Sequence, residues 1–319
     1  MEVVKPKKLK PGDTIGIIAP SSWMDPVYLN KCVGILEGKG FKVFVHPQCL
    51  LPTQGASAGS VSDKISALHD VFLNSEIDAV FCTQGGQEAV HLLDKIDYEI
   101  IRNNPKIFAG FSDTTALLNA FASKSGLVNF HGPHLAYFGF EDSKGTTDIM
   151  LRFLSGDWQG NLFDHGKNIE ILQQGDATGN LVGGNYPLFA GLLLSQNNYV
   201  PALEGSILVI EAIGKEVSQI DQSLGAMRIA GIFEKVSGVI FGHFTDIKDT
   251  PNSLGRDFNI ALKDVLYRNT KDVKGPVIFN VPIGHEHPNI TWPLGIKARL
   301  TVTQNAAELF LKESPFSDA

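Results

Sequence analysis

KIFAGFSDTTALLNAF (106–121) reads as a short buried strand that turns at one glycine, Gly110, straight into an amphipathic helix, with Ser112 and Asp113 at the bend. The same alternation runs outward from it. TIGIIA (14–19) is strand-like, YLNKCVGILEGKG (28–40) helical and ended by glycines, and KVFVH (42–46) a strand. VSDKISALHDVFLN (61–74) is a helix, IDAVFCT (77–83) a strand, and a further helix is expected after Gly85 and Gly86. Strands alternating with helices imply parallel pairing through crossovers. The expected fold class is therefore α/β, opening with an N-terminal doubly wound, mostly parallel sheet domain.

SGDWQGNLFDHGKN (155–168) is polar, glycine-bearing and aperiodic, and it marks a boundary. Beyond it strands resume in IEILQQG, SILVIEA, VSGVIFGHF, PVIFNVP, KARLTVT and AELFL, with fewer helices. This predicts a strand-richer C-terminal α/β domain with a mixed sheet or a barrel-like core. The division is residues 1–155, a linker at 156–168, and 169–319.

A chain of 319 residues is too long for one ordinary core, and its 43% apolar content offsets the entropy of ordering it. The net charge of −7 carries no basic stripe, so no nucleic-acid partner is expected. The lysines of KPKKLKPGD form a surface arm. The N-terminal stretch lacks the apolar core of a signal peptide, and no apolar run approaches a bilayer span. A cytoplasmic protein without a membrane partner is expected. Cys32, Cys49 and Cys82 are odd in number and show no metal-ligand spacing, as unpaired thiols in a reducing compartment would.

Ligands of open α/β sheets collect at the carboxyl ends of the strands, where APSS, TQGGQ and GFSD lie. GFSD has the form of a nucleophile elbow, but Thr114 occupies the fifth position of G-x-S-x-G. Serine and aspartate are also preferred helix caps, so capping and attack both fit Ser112. For attack, the N–H groups of Asp113 and Gly86 are the candidate oxyanion donors. The alternative for Gly85 and Gly86 is a plain tight turn.

A serine nucleophile needs a base and a residue that orients it. His46, His69, His91, His134, His165 and His243 read as surface or core residues, whereas His131 follows a strand near the serine's sheet end. His285 and His287 lie in PIGHEHPNITWPLG, a loop constrained by prolines and glycines. Glu211 ends the apolar strand of ILVIEAIG, where a carboxylate is costly without a partner. The chain order Ser112, Glu211, His285 is that of α/β-hydrolases. A metallohydrolase using His131, His134, His285, His287 and Glu211 is a rival, although HGPH and HEH match no helical zinc motif. A non-catalytic protein binding a small ligand, with Ser112 as a cap, is another.

Six blocks in order resemble the LD-carboxypeptidase family of serine peptidases, which includes muramoyl-tetrapeptide carboxypeptidases and microcin C immunity peptidases. They are GDTIGIIAPSS (12–22), LLDKIDYEIIRNNPKIFAGFSDTTALLNAF (92–121), HGP (131–133), GNLVGGNYPLFAGLL (179–193), ILVIEAIGKEVSQIDQSLGAMRIAGIF (207–233) and GHEHPNITWPLG (284–295). The resemblance implies Ser112 as nucleophile, Glu211 as acid and His285 as base, with His287 demoted to a loop residue. It implies an active site between an N-terminal domain carrying the serine and a C-terminal domain carrying the other two. It further implies a cytoplasmic homodimer without metal or cofactor, acting on a small peptide.

The expected reaction is hydrolysis of an amide bond to a terminal D-amino acid, the L,D-bond of murein tetrapeptides in cell-wall recycling. The alternative is cleavage of peptidyl- or aminoacyl-nucleotide antibiotics. Gly85, Gln87 and Trp292 are the candidate substrate contacts, Trp292 by stacking on a base, with core packing beside prolines as its alternative. This chain has Gln84, Gly85, Gly86, Gln87 and Glu88 where many members carry R-G-G-Y-G, and Gln222 where arginine is common.

Overall fold

The N-terminal part of the computed structural model supplies strands β1 (Thr14–Ile18), β2 (Lys42–Val45), β3 (Ala79–Cys82), β4 (Ile107–Gly110) and β5 (Asn129–His131). The remainder supplies β6 (Glu170–Gln173), β7 (Gly175–Asn185), β8 (Ile207–Ile213), β9 (Gly238–Thr245), β10 (Val277–Phe279), β11 (Trp292–Leu294), β12 (Lys297–Val302) and β13 (Ala307–Leu311). The helices are α1 (Pro26–Gly38), α2 (Val61–Leu73), α3 (Tyr98–Asn103), α4 (Thr115–Lys124), α5 (Lys144–Leu154), α6 (Tyr186–Leu192), α7 (Val217–Ile229), α8 (Ile232–Lys235) and α9 (Leu262–Thr270). The structure describes residues 2–51, 55–158, 160–166, 168–251 and 255–318.

The first sheet has the order β2-β1-β3-β4-β5-β11, parallel from β2 to β5. Its central strands β3 and β4 are buried throughout, which is why they read as unbroken apolar runs. The crossover helices start on local signals. Asp25 accepts the N–H groups of Val27 and Tyr28 ahead of α1, and Ser60 and Asp63 form a capping box on α2. The helix expected after Gly86 is instead a short 3-10 turn, Ala89–Leu92, followed by α3.

The second sheet is mixed, in the order β13-β12-β7-β8-β9-β10-β6, with β7 to β10 parallel and antiparallel strands outside them. It is open, with β13 and β6 as its edges, and not a barrel. Alternate residues of β8 face opposite ways. Ile207 and Val209 join the core that runs through the first sheet, while Leu208 and Ile210 pack with Ile220, Leu224, Val265 and Leu266 of α7 and α9. Within the expected linker Leu162 is buried, and its N–H donates to Leu309 O at 2.9 Å.

Two strands escape a pattern-based reading, and both tie the sheets together. β7 is rich in glycine, and Gly184 shows why. Its φ is +128°, and a Cβ there would fall 2.7 Å from the Thr115 side chain. Such a close approach brings the end of β7 against α4, where the Asn185 N–H donates to Thr115 Oγ1 at 2.9 Å. β11 leaves the C-terminal half and pairs antiparallel with β5, Trp292 opposite His131. The chain after residue 169 therefore completes the first sheet as well as the second.

Cys32, Cys49 and Cys82 are buried free thiols. No helix among the described residues is long and apolar enough to cross a membrane.

Candidate active site

β4 delivers the chain to the bend with Phe111 extended, and Ser112 then adopts φ +57°. A left-handed serine costs on the order of 1–3 kcal/mol and persists only where its surroundings hold it. Here the Phe111 N–H donates to His134 Nε2 at 3.2 Å, and the Thr114 N–H donates to Phe111 O at 3.1 Å. His134 is 3% exposed, and burial, aided by the nearby His285, pushes its pKa down to about 3. It is thus a neutral ring whose Nε2 accepts.

Neither Ser112 nor Asp113 caps α4, for no side-chain hydrogen bond closes the start of that helix. The Ser112 hydroxyl lies 3.1 Å from His285 Nε2. Asp113 turns the other way. Its Oδ2 accepts from Ser21 Oγ at 2.6 Å and from the N–H groups of Glu88 and Ala89 at 2.8 Å each. The aspartate caps a different turn, in trans.

Glu211 lies in the last half of β8, two residues short of its end, beside its register partner Asn185 of β7, and is fully buried. Asn185 Nδ2 donates to Glu211 Oε1 at 3.0 Å, and His285 Nδ1 lies 2.8 Å from Oε2. A carboxylate only accepts, so the tautomer that satisfies this contact is the one with the proton on Nδ1, which leaves Nε2 to accept from Ser112. The His285 loop is fixed on both flanks. Ile283 O accepts the His243 N–H at 2.7 Å, and the Gly284 N–H donates to Asn289 Oδ1 at 3.1 Å. β11 then anchors the far end of the loop to β5.

A cleft of about 420 Å³ opens at Ser112, with Gly85, Gly86, His134, Tyr137, Phe140 and His285 in its lining. A Cβ on Gly85 would stand 3.1 Å from Ser112 Oγ. Gly86 has φ +155°, and a Cβ there would stand 2.2 and 2.3 Å from the hydroxyls of Ser21 and Ser22. Gln84 Nε2 donates to Trp23 O at 2.6 Å, and the Gln87 side chain is exposed beside the cleft lining.

Other expected site residues lie elsewhere. Trp292 is 1% exposed and stacked on His131 at 5.1 Å within the first sheet, so it offers no face to a substrate. The base-stacking expectation for it is corrected on that ground. His287 Nδ1 sits 3.1 Å from Thr146 Oγ1, and His131 is buried beneath the site. Among the described residues, no three His, Cys, Asp or Glu side chains converge in a way suited to a metal ion. Gln222 lines a separate groove with Arg228 and Arg268.

His134, Asn185, Tyr137 and Phe140 did not stand out in the sequence as site residues. His134 had a signal, the second histidine of HGPH, but it reads as an ordinary core residue. Asn185 closes a glycine-rich stretch without periodicity.

A serine, an imidazole and a buried carboxylate in hydrogen-bonded series at the carboxyl ends of two α/β sheets place the protein among serine hydrolases. The chain belongs to the LD-carboxypeptidase family of serine peptidases: residues 15–132 match its N-terminal domain and residues 178–300 its C-terminal domain. It is 32% identical over 304 residues to a Bacillus subtilis (strain 168) protein named "Probable murein peptide carboxypeptidase", covering 95% of this chain and 93% of that one. It is 30% identical over 318 residues to the Escherichia coli microcin C7 self-immunity protein MccF, covering 90% of each. A crystal structure of an MccF-like protein from Bacillus anthracis str. Ames superposes with a TM-score of 0.81 at 27% identity, covering 95% of this chain and 98% of that one. The protein is a serine-peptidase hydrolase of carboxypeptidase type.

Proposed function

We propose that Ser112 attacks the amide bond that joins a terminal D-amino acid to an L-centre, as in the L,D-bond of a murein tetrapeptide. The observation that carries this reading is the 3.1 Å approach of Ser112 Oγ to His285 Nε2, with Nδ1 held by Glu211. His285 takes the hydroxyl proton as the oxygen adds to the carbonyl carbon. The developing oxyanion is received by the N–H groups of Gly86 and Asp113, beside the start of α4. His285 then delivers the proton to the departing amine nitrogen, and the D-amino acid leaves. Water, activated by the same imidazole, hydrolyses the acyl-serine ester.

Likeness to the murein peptide carboxypeptidase of B. subtilis supports the substrate class, and the family resemblance supports a cytoplasmic homodimer. A second reading rests on the likeness to MccF over 90% of the chain, namely cleavage of a peptidyl- or aminoacyl-nucleotide. The purified protein is offered a murein tetrapeptide and a peptidyl-adenylate mimic in parallel. D-alanine released from the first at a kcat/KM well above that for the second is the expected result. The reverse ratio selects the nucleotide reading.

A further inference from the structure

The 84–89 loop carries the glycines of the cleft, yet little of its own chemistry keeps it in place. Glycines give it maximal freedom, and Gly86 and Gln87 face solvent. Gln84 Nε2 holds its start by donating to Trp23 O at 2.6 Å, and two carboxylates hold the part beyond the glycines. Asp113, 2% exposed, receives the N–H groups of Glu88 and Ala89 together with the Ser21 hydroxyl. Glu88 in turn anchors to Lys64, whose side chain is fully buried, and accepts from Ser57 Oγ at 2.5 Å. Lys64 also donates to Ser57 Oγ at 2.8 Å, so the loop is tied down to α2. On its other flank Gly85 O accepts the Ser22 N–H at 3.3 Å. The same residue whose backbone follows the nucleophile therefore grips the loop that faces it.

We propose that the carboxylates of Asp113 and Glu88 are positioning groups for the reaction: they hold the glycine loop at the distance from Ser112 at which its N–H group receives the oxyanion. This rests on the reading of Ser112 as nucleophile. Donors that stabilise a developing charge act fully only when they are fixed before the charge appears. A loop released from Asp113 or Glu88 would still admit substrate, but would meet the tetrahedral intermediate with a mobile donor. Neither carboxylate touches substrate in this scheme. Lys64 completes the device, because without it Glu88 has no buried cation to anchor to.

Asp113→Asn and Glu88→Gln are compared with the native protein in three measurements: kcat and KM on a murein tetrapeptide, affinity for a peptide boronate that forms an oxyanion-like adduct with serine, and affinity for the product tripeptide. In both variants kcat and boronate affinity are expected to fall together, roughly 10- to 100-fold, a smaller loss than outright removal of an oxyanion donor. KM and tripeptide affinity stay within about 2-fold, since ground-state binding does not use the oxyanion site. A merely structural role would lower thermal stability and leave the kcat and boronate ratios of the folded fraction at native values. That result overturns the inference, as does a loss confined to KM. Should Asp113→Asn fail to fold, Glu88→Gln, whose side chain is 40% exposed, carries the test alone. Native protein that neither binds the boronate nor turns over tetrapeptide overturns the reading of Ser112 itself. Tight native binding retained by Glu88→Gln overturns only the clamp.

Discussion

Asn185 faces Glu211 across the β7–β8 pairing and donates its amide to Oε1 at 3.0 Å, leaving Oε2 to His285. The pair divides the two oxygens of one buried carboxylate between a positioning contact and the imidazole. Replacing Glu211 with Gln keeps the shape but lets the amide present a donor to Nδ1, which favours the wrong tautomer. A fall in kcat on the order of 10⁴-fold is expected. Asn185→Ala keeps the carboxylate and loses only its orientation, for a drop of roughly 10-fold. Steady-state kinetics on the two purified variants check the order, and equal losses would speak against this division of labour.

Gly86→Ala is a probe of the loop that needs no change of charge. The new methyl would stand 2.2 Å from Ser21 Oγ and 2.3 Å from Ser22 Oγ, at a φ of +155°. The exposed loop must shift, and the N–H assigned to the oxyanion shifts with it. We expect kcat to fall roughly 10²-fold while the urea midpoint stays near native. Unchanged kcat would remove Gly86 from the oxyanion site.

Acid should unfold the protein through its buried rings. Burial, with the neighbouring His285 adding to it, holds His131 and His134 at about 3, against 6.5 for a free side chain. Between those values the unfolded chain binds protons that the folded chain refuses. Stability therefore rises with pH across the window and is lost as pH falls from 6.5 toward 3, by about 1.4 kcal/mol per unit for each ring. Burial lowers His243 too and adds to the trend. Urea midpoints at pH 7, 5 and 4 should fall in that order, and His134→Gln should flatten the slope.

The strands of the first sheet were legible because each is short, β-branched and buried, so that strand and helix periods alternate cleanly. β7 was not, because its glycines answer close approaches, that of Gly184 to Thr115 and that of Gly183 to the Val209 backbone, and lack the side chains that mark a strand. β11 is three residues long with a proline at its centre, and its partner lies in β5, far back in the chain. That one pairing explains why Trp292 is a core residue, and it also sets where the His285 loop ends.

In the site, local signals pointed to Ser112, to Glu211 and to the loop of His285 and His287: a glycine turn, a carboxylate late in an apolar strand, and a loop stiffened by prolines. The choice of His285 over His287 came with the family resemblance. The choice between capping and hydrogen bonding to histidine was not local. It depends on where the 84–89 loop and the His285 loop lie, so the outward turn of Asp113 toward Glu88 and Ala89 had no sequence signature.

The central claim is that Ser112 attacks. Its most direct test is D-alanine release from a murein tetrapeptide by the native protein and by Ser112→Ala, with circular dichroism confirming that both are folded. The account predicts release by the native protein and a loss on the order of 10⁴-fold or more in the variant. Full activity in folded Ser112→Ala would contradict it.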